Sequence, residues 1–177
     1  MPKPVAVVDS SSIIALDAID AIPLLAWVFS RVWLPKAVRK DIYRRRRAKN
    51  RLTRYLEKSG FLRPCDSYDQ LTVDVLLPGK IASGRKDRGE TETVVQAETL
   101  KAEALQIIAI IDDAWGRDLA KRMAVECHGT LWVLEQFYDL GLRSGRNLAQ
   151  DIEALRRHGF WLPDQPTEAL LARIRGG

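Results

Sequence analysis

Cysteine and histidine are scarce: the 177-residue sequence holds two of each. Cys65 and Cys127 match no zinc-ligand spacing, and so small a number rules out a disulfide-stapled secreted scaffold. They are expected as small, buried, unpaired apolar residues. His128 and His158 stand too far apart to suggest a histidine-rich metal site. No apolar run reaches the length of a membrane span, since Ala21–Phe29 is short and interrupted by Pro23. The N-terminus has no basic stretch followed by an apolar segment and a small-residue cleavage site, and passes from Met1-Pro2-Lys3-Pro4 straight into an apolar strand. A cytoplasmic location without membrane association is expected. No internal repeat is present, and low complexity is confined to one arginine run.

What is present is an ordinary globular balance, 46% hydrophobic and 29% charged. The length suits one domain over 1–177. Charge is unevenly spread. Ten Lys or Arg and a single acid, Asp41, lie between Lys36 and Arg54, a net +9, so the rest of a +5 chain sums to −4. This basic helical segment, at about 36–58, includes Arg44-Arg45-Arg46-Arg47. Such a block attracts polyanions and releases counterions when phosphates replace them. On charge alone, a solvated helix face or a dock for an acidic protein accounts for it equally well.

Val5-Ala6-Val7-Val8 reads as a strand buried on both faces. Asp9-Ser10-Ser11-Ser12 ends it and offers caps for the next helix. Ala21–Phe29 is expected as a further helix, Arg31–Leu34 as a second strand, and Pro35 as the lead into the basic helices, which close with Gly60 as C-cap. Phe61–Pro64 is a short strand or loop. Leu71–Leu77 is expected as a helix with Leu71, Val75 and Leu76 facing inward. Pro78 to Gly89 reads as a basic loop. Glu90 opens a helix that buries Val94, Val95, Ala97 and Leu100. Ile107–Ile111 is the strongest strand, followed by a helix burying Leu119, Ala120 and Met123. A short strand at Val125–His128 and a helix over Leu131–Leu140 come next, then C-terminal helices within about 147–177. Strands separated by helical stretches predict an α/β fold, one three-layer α/β/α domain around a mainly parallel sheet.

The acids fall where such a sheet collects ligands. Asp9 follows one buried strand and Asp112-Asp113 follow another, so they are expected in one crevice at the carboxyl ends of the strands. Glu90 at a helix start and Asp41 on the helix after the second strand both have access to it. Carboxylates converging there repel one another unless a cation intervenes, and oxygen-only donors favour Mg²⁺ or Mn²⁺. Each acid also has a plainer role open to it: Asp9, Asp112 or Asp113 as a helix cap, Glu90 as a partner of its helix dipole.

Taken in order, these segments resemble the PIN-domain family, in the toxin-like branch typified by VapC-like ribonucleases. The resemblance rests on Val7-Val8-Asp9 running into Ser12-Ile13-Ile14, Pro35 to Val38 and Asp41-Ile42, and Gly89-Glu90 with Ala97. It continues through Asp112-Asp113 with Arg117 and Ala120, Gly129-Thr130 with Leu134, and Leu155 to Gly159-Phe160, so that it spans about Val5 to Phe160. It implies endonucleolytic cleavage of single-stranded RNA, with Asp9, Glu90 and Asp112 or Asp113 holding one or two Mg²⁺ or Mn²⁺ ions and Asp41 completing the shell. Arg44, Arg45, Arg46, Arg47, Arg88 and Arg117 are the expected nucleic-acid contacts, with Arg117 open also to a salt bridge within the acidic cluster. An antitoxin protein and a second copy of the chain are the partners it implies. Two departures stand out: Asp41 replaces the usual Glu, and the basic stretches are longer.

Other aspartate-after-strand chemistries fit less well. A phosphoaspartate hydrolase of the haloacid dehalogenase type needs a second aspartate where Ser11 stands, and a receiver-like domain needs an acidic pair at the first strand. The alternative from a different class is a catalytically weak PIN-like module that binds RNA or protein through its arginines. The five tryptophans are expected in packing rather than as base platforms. Trp115, just beyond Asp113, is the exception to test for stacking.

Overall fold

The computed structural model describes residues 2–44, 46–77, 87–102 and 106–176, with the side chains of 46–50 outside the description. Arg45, the side chains of Arg46 and Arg47, and most of the basic loop before Arg88 therefore lie outside the described residues.

Five strands form one all-parallel sheet in the order β3-β2-β1-β4-β5. They are β1 (Val5–Val8), β2 (Arg31–Leu34), β3 (Leu62–Pro64), β4 (Ile107–Ile110) and β5 (Cys127–His128). The expected three-layer architecture follows from the alternation along the strands. Ala6, Val8, Ile108 and Ile110 face one core, with Val38 and Ile42 of α3 (Lys36–Arg44), Leu52 of α4 (Arg46–Lys58) and the helices α1 (Ser10–Ala18), α8 (Thr130–Asp139), α9 (Gly145–Arg157) and α10 (Asp164–Arg175). Val7, Ile107 and Ala109 face the other, against Val94 and Ala97 of α6 (Arg88–Leu100) and Leu119 and Ala120 of α7 (Ala114–Arg122). No single helix among the described residues is long and apolar enough to cross a membrane.

Two expected elements differ. The stretch Ala21–Phe29 is a 3-10 turn (Ile22–Leu24) running into the four-residue α2 (Leu25–Val28), because Pro23 sits at its start and cannot continue a preceding helix. The helix α5 (Gln70–Leu76) is present but turned: Leu71 and Val75 are 73% and 75% exposed, Val73 and Leu77 pack on Val95 of α6, and of the residues expected inward Leu76 alone is partly buried. Trp27 and Trp161 are likewise more than half exposed, not packed in the core. Cys65 and Cys127 are both free thiols.

In the sheet, β1 runs beside β4 in register Val8↔Ile110, and the chain winds outward from this pair in both directions. The gap between their carboxyl ends is the topological switch point, where helices leave to opposite sides and a crevice opens. Asp9 and Asp112 stand there.

Candidate metal centre

The sheet carries Asp9 into the crevice by continuing β1: its backbone N–H donates to the Ile110 carbonyl at 3.0 Å. Its side chain then turns to cap α1, Oδ1 accepting from the Ser12 N–H at 2.7 Å and Oδ2 from the Ser11 hydroxyl at 2.8 Å. Asp9 is fully buried. Burial is the main force raising its carboxyl to about 7, and the neighbouring Asp112 charge adds to it against the Ser11 and Ser12 hydrogen bonds.

Adjacent aspartates, left undivided by the sequence, have distinct positions. Asp113 caps α7, accepting from the N–H groups of Trp115 at 2.8 Å and Gly116 at 3.4 Å. Asp112 turns across the crevice instead. Its Oδ1 accepts from the Thr130 N–H at 2.7 Å, and its Oδ2 from the hydroxyls of Thr130 and, at 3.2 Å, Ser12. A Cβ on Gly129 would stand 2.7 Å from Asp112 Oδ1, so only glycine leaves room for this approach. Thr130 thus bonds into the site rather than serving α8 alone.

The serine triplet, read from sequence only as a set of caps, proves to be the organiser. Ser10 donates to Asp41 Oδ2 at 3.4 Å, Ser11 to Asp9, and Ser12 to Asp112. One turn of α1 therefore holds three acids drawn from three different segments. Glu90, in the first turn of α6, faces the same groove as Ser11, Asp112 and Asp113. Its carboxyl is raised by burial and then by the charges of Asp113, Asp87 and Asp41. Gly116 permits this placement, since a Cβ there would meet Ile111 Cγ2 at 2.6 Å and Glu90 Cβ at 2.9 Å.

The groove has a volume of about 490 Å³, and Arg117, Phe160 and Trp161 complete its far wall. Arg117 makes no ion pair with a carboxylate among the described residues; its guanidinium lies over the Trp161 ring, 5.4 Å from the centroid. The expected salt bridge to the acids is therefore replaced by a cation–π contact. Trp115 is turned away, its Nε1 within 3.4 Å of Thr91 Oγ1 and its ring under Arg122.

Asp41 faces a second cavity of about 310 Å³, where Lys36, Lys40, Arg44 and Arg88 gather. Of the expected nucleic-acid contacts, Arg44 and Arg88 are thus brought together there, while Arg117 belongs to the acidic groove. Arg88 is tied to Glu92 at 3.0 Å and Asp74 at 3.1 Å. Glu92, only 2% exposed, also accepts the Ala37 N–H at 2.7 Å, which pins the start of α3 and with it Asp41. The sequence signal for Glu92 was its spacing of two residues from Glu90, which places it on a different face of α6.

This geometry agrees with what the family match finds. The family model DUF3368, a PIN domain, matches residues 5–175. The chain belongs to the PIN-domain family. A search of curated proteins gave no match.

PIN domains have a nuclease-type fold and usually employ divalent metal. The donor chemistry of this PIN domain fits such an ion. Asp9, Asp112 and Glu90 offer hard oxygen donors, and burial, with the neighbouring carboxylates, holds Asp9 and Glu90 above the ordinary carboxylate range. The softer neighbour, Cys127, is pushed up to about 11 by burial, with Asp9 and Asp112 adding to the rise, and remains a neutral thiol. Among the described residues no three Asp, Glu, His or Cys side chains gather closely enough to hold a metal ion. Glu90, Asp112 and Asp113 instead line an open groove, and Asp9 lies fully buried beside Asp112.

Proposed function

We propose that this PIN domain is a divalent-metal-dependent endoribonuclease that cleaves single-stranded RNA, with Asp9, Glu90 and Asp112 as the acids that hold Mg²⁺ or Mn²⁺. The observation carrying this reading is the fully buried Asp9 beside Asp112, both bonded to Ser12. A carboxyl fully buried beside a second, partly exposed carboxylate costs stability unless something positive joins them, and acids held in this way cluster at functional sites. A bound ion would supply Lewis acidity toward a phosphate and a water in the groove.

The chain's own contribution is positional. Ser11, Ser12 and Thr130 fix the rotamers of Asp9 and Asp112, so the acids need no reorganisation on binding. Asp113 stays on the helix start as a cap, with its charge at the groove rim. Asp41, a methylene shorter than the family's Glu and bonded to Ser10, acts from the basic cavity side by keeping the field at Glu90 negative. Arg44 receives the RNA backbone beyond the acids, Arg88, tied to Asp74 and Glu92, holds that wall in place, and Arg117 receives a phosphate at the opposite wall. By resemblance the physiological setting is that of a toxin held by an antitoxin protein, in the cytoplasm, with a homodimer as the expected assembly.

A second reading is favoured because no three acids among the described residues gather closely enough to hold a metal ion, and Asp41 pairs with Arg44 at 3.4 Å. In it the chain is a PIN-like module that binds RNA or protein with little catalysis. One experiment separates the two. Labelled single-stranded RNA is incubated with the protein in Mn²⁺, Mg²⁺ or EDTA, alongside folded Asp9→Asn and Glu90→Gln variants. Metal-dependent cleavage lost in both variants supports the nuclease; RNA binding with no cleavage in any metal supports the module.

A further inference from the structure

Trp161 is a large aromatic left 59% exposed on the wall of the acidic groove. Exposing an indole forfeits burial free energy, so its placement calls for an occupant. Phe160, next to it, is only partly buried against the main core and anchors the segment between α9 and α10. Arg117 holds its guanidinium over the indole, 5.4 Å from the centroid, with no carboxylate partner among the described residues. The indole face and this cation stand in the same groove as Glu90 and Asp112.

We propose that Trp161 and Arg117 form a stacking subsite for an unpaired nucleobase of the strand whose phosphate lies at the acids. The chemistry of the wall selects that ligand. An aliphatic protein side chain would use the ring but leave Arg117 and His158 unanswered, whereas a base brings a π-face for the indole, polar edges, and a phosphate for the guanidinium. A duplex keeps its bases stacked on one another and cannot offer that face, so the subsite favours single strands without reading sequence. This rests on the acidic groove being a nucleic-acid site, not on its cutting.

The test uses the full chain with metal replaced by EDTA, so that binding is read without cleavage. The probes are a short oligouridylate, its DNA counterpart oligothymidylate, an abasic ribose-phosphate oligomer of equal length, and an RNA duplex. Oligouridylate is expected to quench tryptophan emission in the parent protein and to bind roughly tenfold more tightly than to Trp161→Ala, with Trp161→Phe recovering most of the loss. The abasic oligomer and the duplex should bind parent and Trp161→Ala alike, a discrimination that a merely structural role for Trp161 would not produce. Equal behaviour of oligothymidylate would extend the subsite to single strands of either sugar. The proposal is overturned if Trp161→Ala binds oligouridylate as tightly as the parent, or if its loss is the same for the abasic oligomer. Trp161-dependent binding by a protein that never cleaves would sink the nuclease reading alone. Metal-dependent cleavage with unchanged KM in Trp161→Ala would sink the stacking subsite alone.

Discussion

The crevice at the carboxyl edge of the sheet has an acidic side and a basic side, and they are built differently. On the acidic side Asp9 and Asp112 extend from adjacent strands and are locked by hydrogen bonds from Ser11, Ser12 and Thr130. On the basic side Lys36, Lys40, Arg44 and Arg88 project from helix surfaces. There Arg88 is shared between Asp74 and Glu92, and Arg44 leans on Asp41. Lys36 and Lys40 have no ion pair among the described residues. The contrast teaches that the acids are placed for geometry and the cations for field. A ligand set works only if its atoms stand within tenths of an ångström of the right position, while attraction of a polyanion tolerates mobile side chains.

The largest effect should therefore come from the acidic side. Asp9→Asn or Asp112→Asn is expected to lower metal-dependent RNA cleavage by more than about a hundredfold, because each removes an ionised oxygen from the proposed ion. The double variant Lys40→Ala, Arg44→Ala should lower it only severalfold at low salt. Initial rates on the same labelled RNA compare them directly. Similar reductions on the two sides would erase the distinction between geometry and field.

A stability measurement sharpens the same contrast without any substrate. Asp9 is raised from 3.8 to about 7 in the metal-free fold. Between those values the folded protein keeps a proton that the unfolded chain has released, so stability falls as pH rises from about 4 toward 7 and levels off above. Glu90, Asp17 and Asp151 are raised as well and contribute in the same direction. The Asp9 share is isolated by comparing the parent with Asp9→Asn, which should be more stable by roughly 1–3 kcal/mol above neutrality and show a shallower pH slope. Added Mn²⁺ should stabilise the parent increasingly as pH climbs, since binding requires the ionised carboxylate. Thermal melts across this range check both signs. A parent and variant with parallel pH profiles would contradict the desolvated Asp9.

Within the acidic side, the two adjacent aspartates offer a finer comparison. Asp113→Ala removes the cap on Trp115 and Gly116 and should cost about 1 kcal/mol of stability. Asp112→Ala strands the Thr130 and Ser12 donors and also abolishes the proposed metal response, which Asp113→Ala only weakens. Melting with and without Mn²⁺ distinguishes the two, and an undiminished metal shift in Asp112→Ala would transfer the ligand role to its neighbour.

Much of this was legible in the sequence, for identifiable reasons. Continuous apolar runs at Val5–Val8 and Ile107–Ile110 can be satisfied only by strands covered on both faces, and an acid directly after each has few places to go. The strand order that sets β1 against β4 has no local signature, and no spacing along the chain predicts it. Side-chain direction was hidden for the same reason. Asp112 turns inward because Gly129 and Thr130 receive it, and no pattern near Asp112 announces residues from the next turn of the fold. In α5 the residues Leu71, Val73, Val75 and Leu77 are all apolar, so spacing alone offered two equivalent stripes, and Val95 on α6 chose the one containing Val73 and Leu77. Trp161 was expected in packing because tryptophan usually is; its exposure depends on where the segment between α9 and α10 meets Arg117 of α7.

The smallest expected effect tests the basic side on its own terms. Lys36 and Lys40 line the cavity beyond Asp41 without an ion pair among the described residues, so if they meet the RNA backbone they do so by displacing counterions. Replacing both by Ala should then weaken single-strand binding only a fewfold at low salt and make it less sensitive to salt. The slope of log K against log salt should fall by roughly 0.7 for each phosphate that is no longer neutralised. Arg88→Ala should behave otherwise, because its guanidinium is already committed to Asp74 and Glu92: stability should drop while the slope barely moves. Salt titrations of the three proteins, run in EDTA, give the comparison. If Lys36→Ala, Lys40→Ala leaves the slope unchanged, the RNA path does not cross this cavity. The strand would then leave the acidic groove along the Arg117 wall, and the basic helices would be free to serve a protein partner.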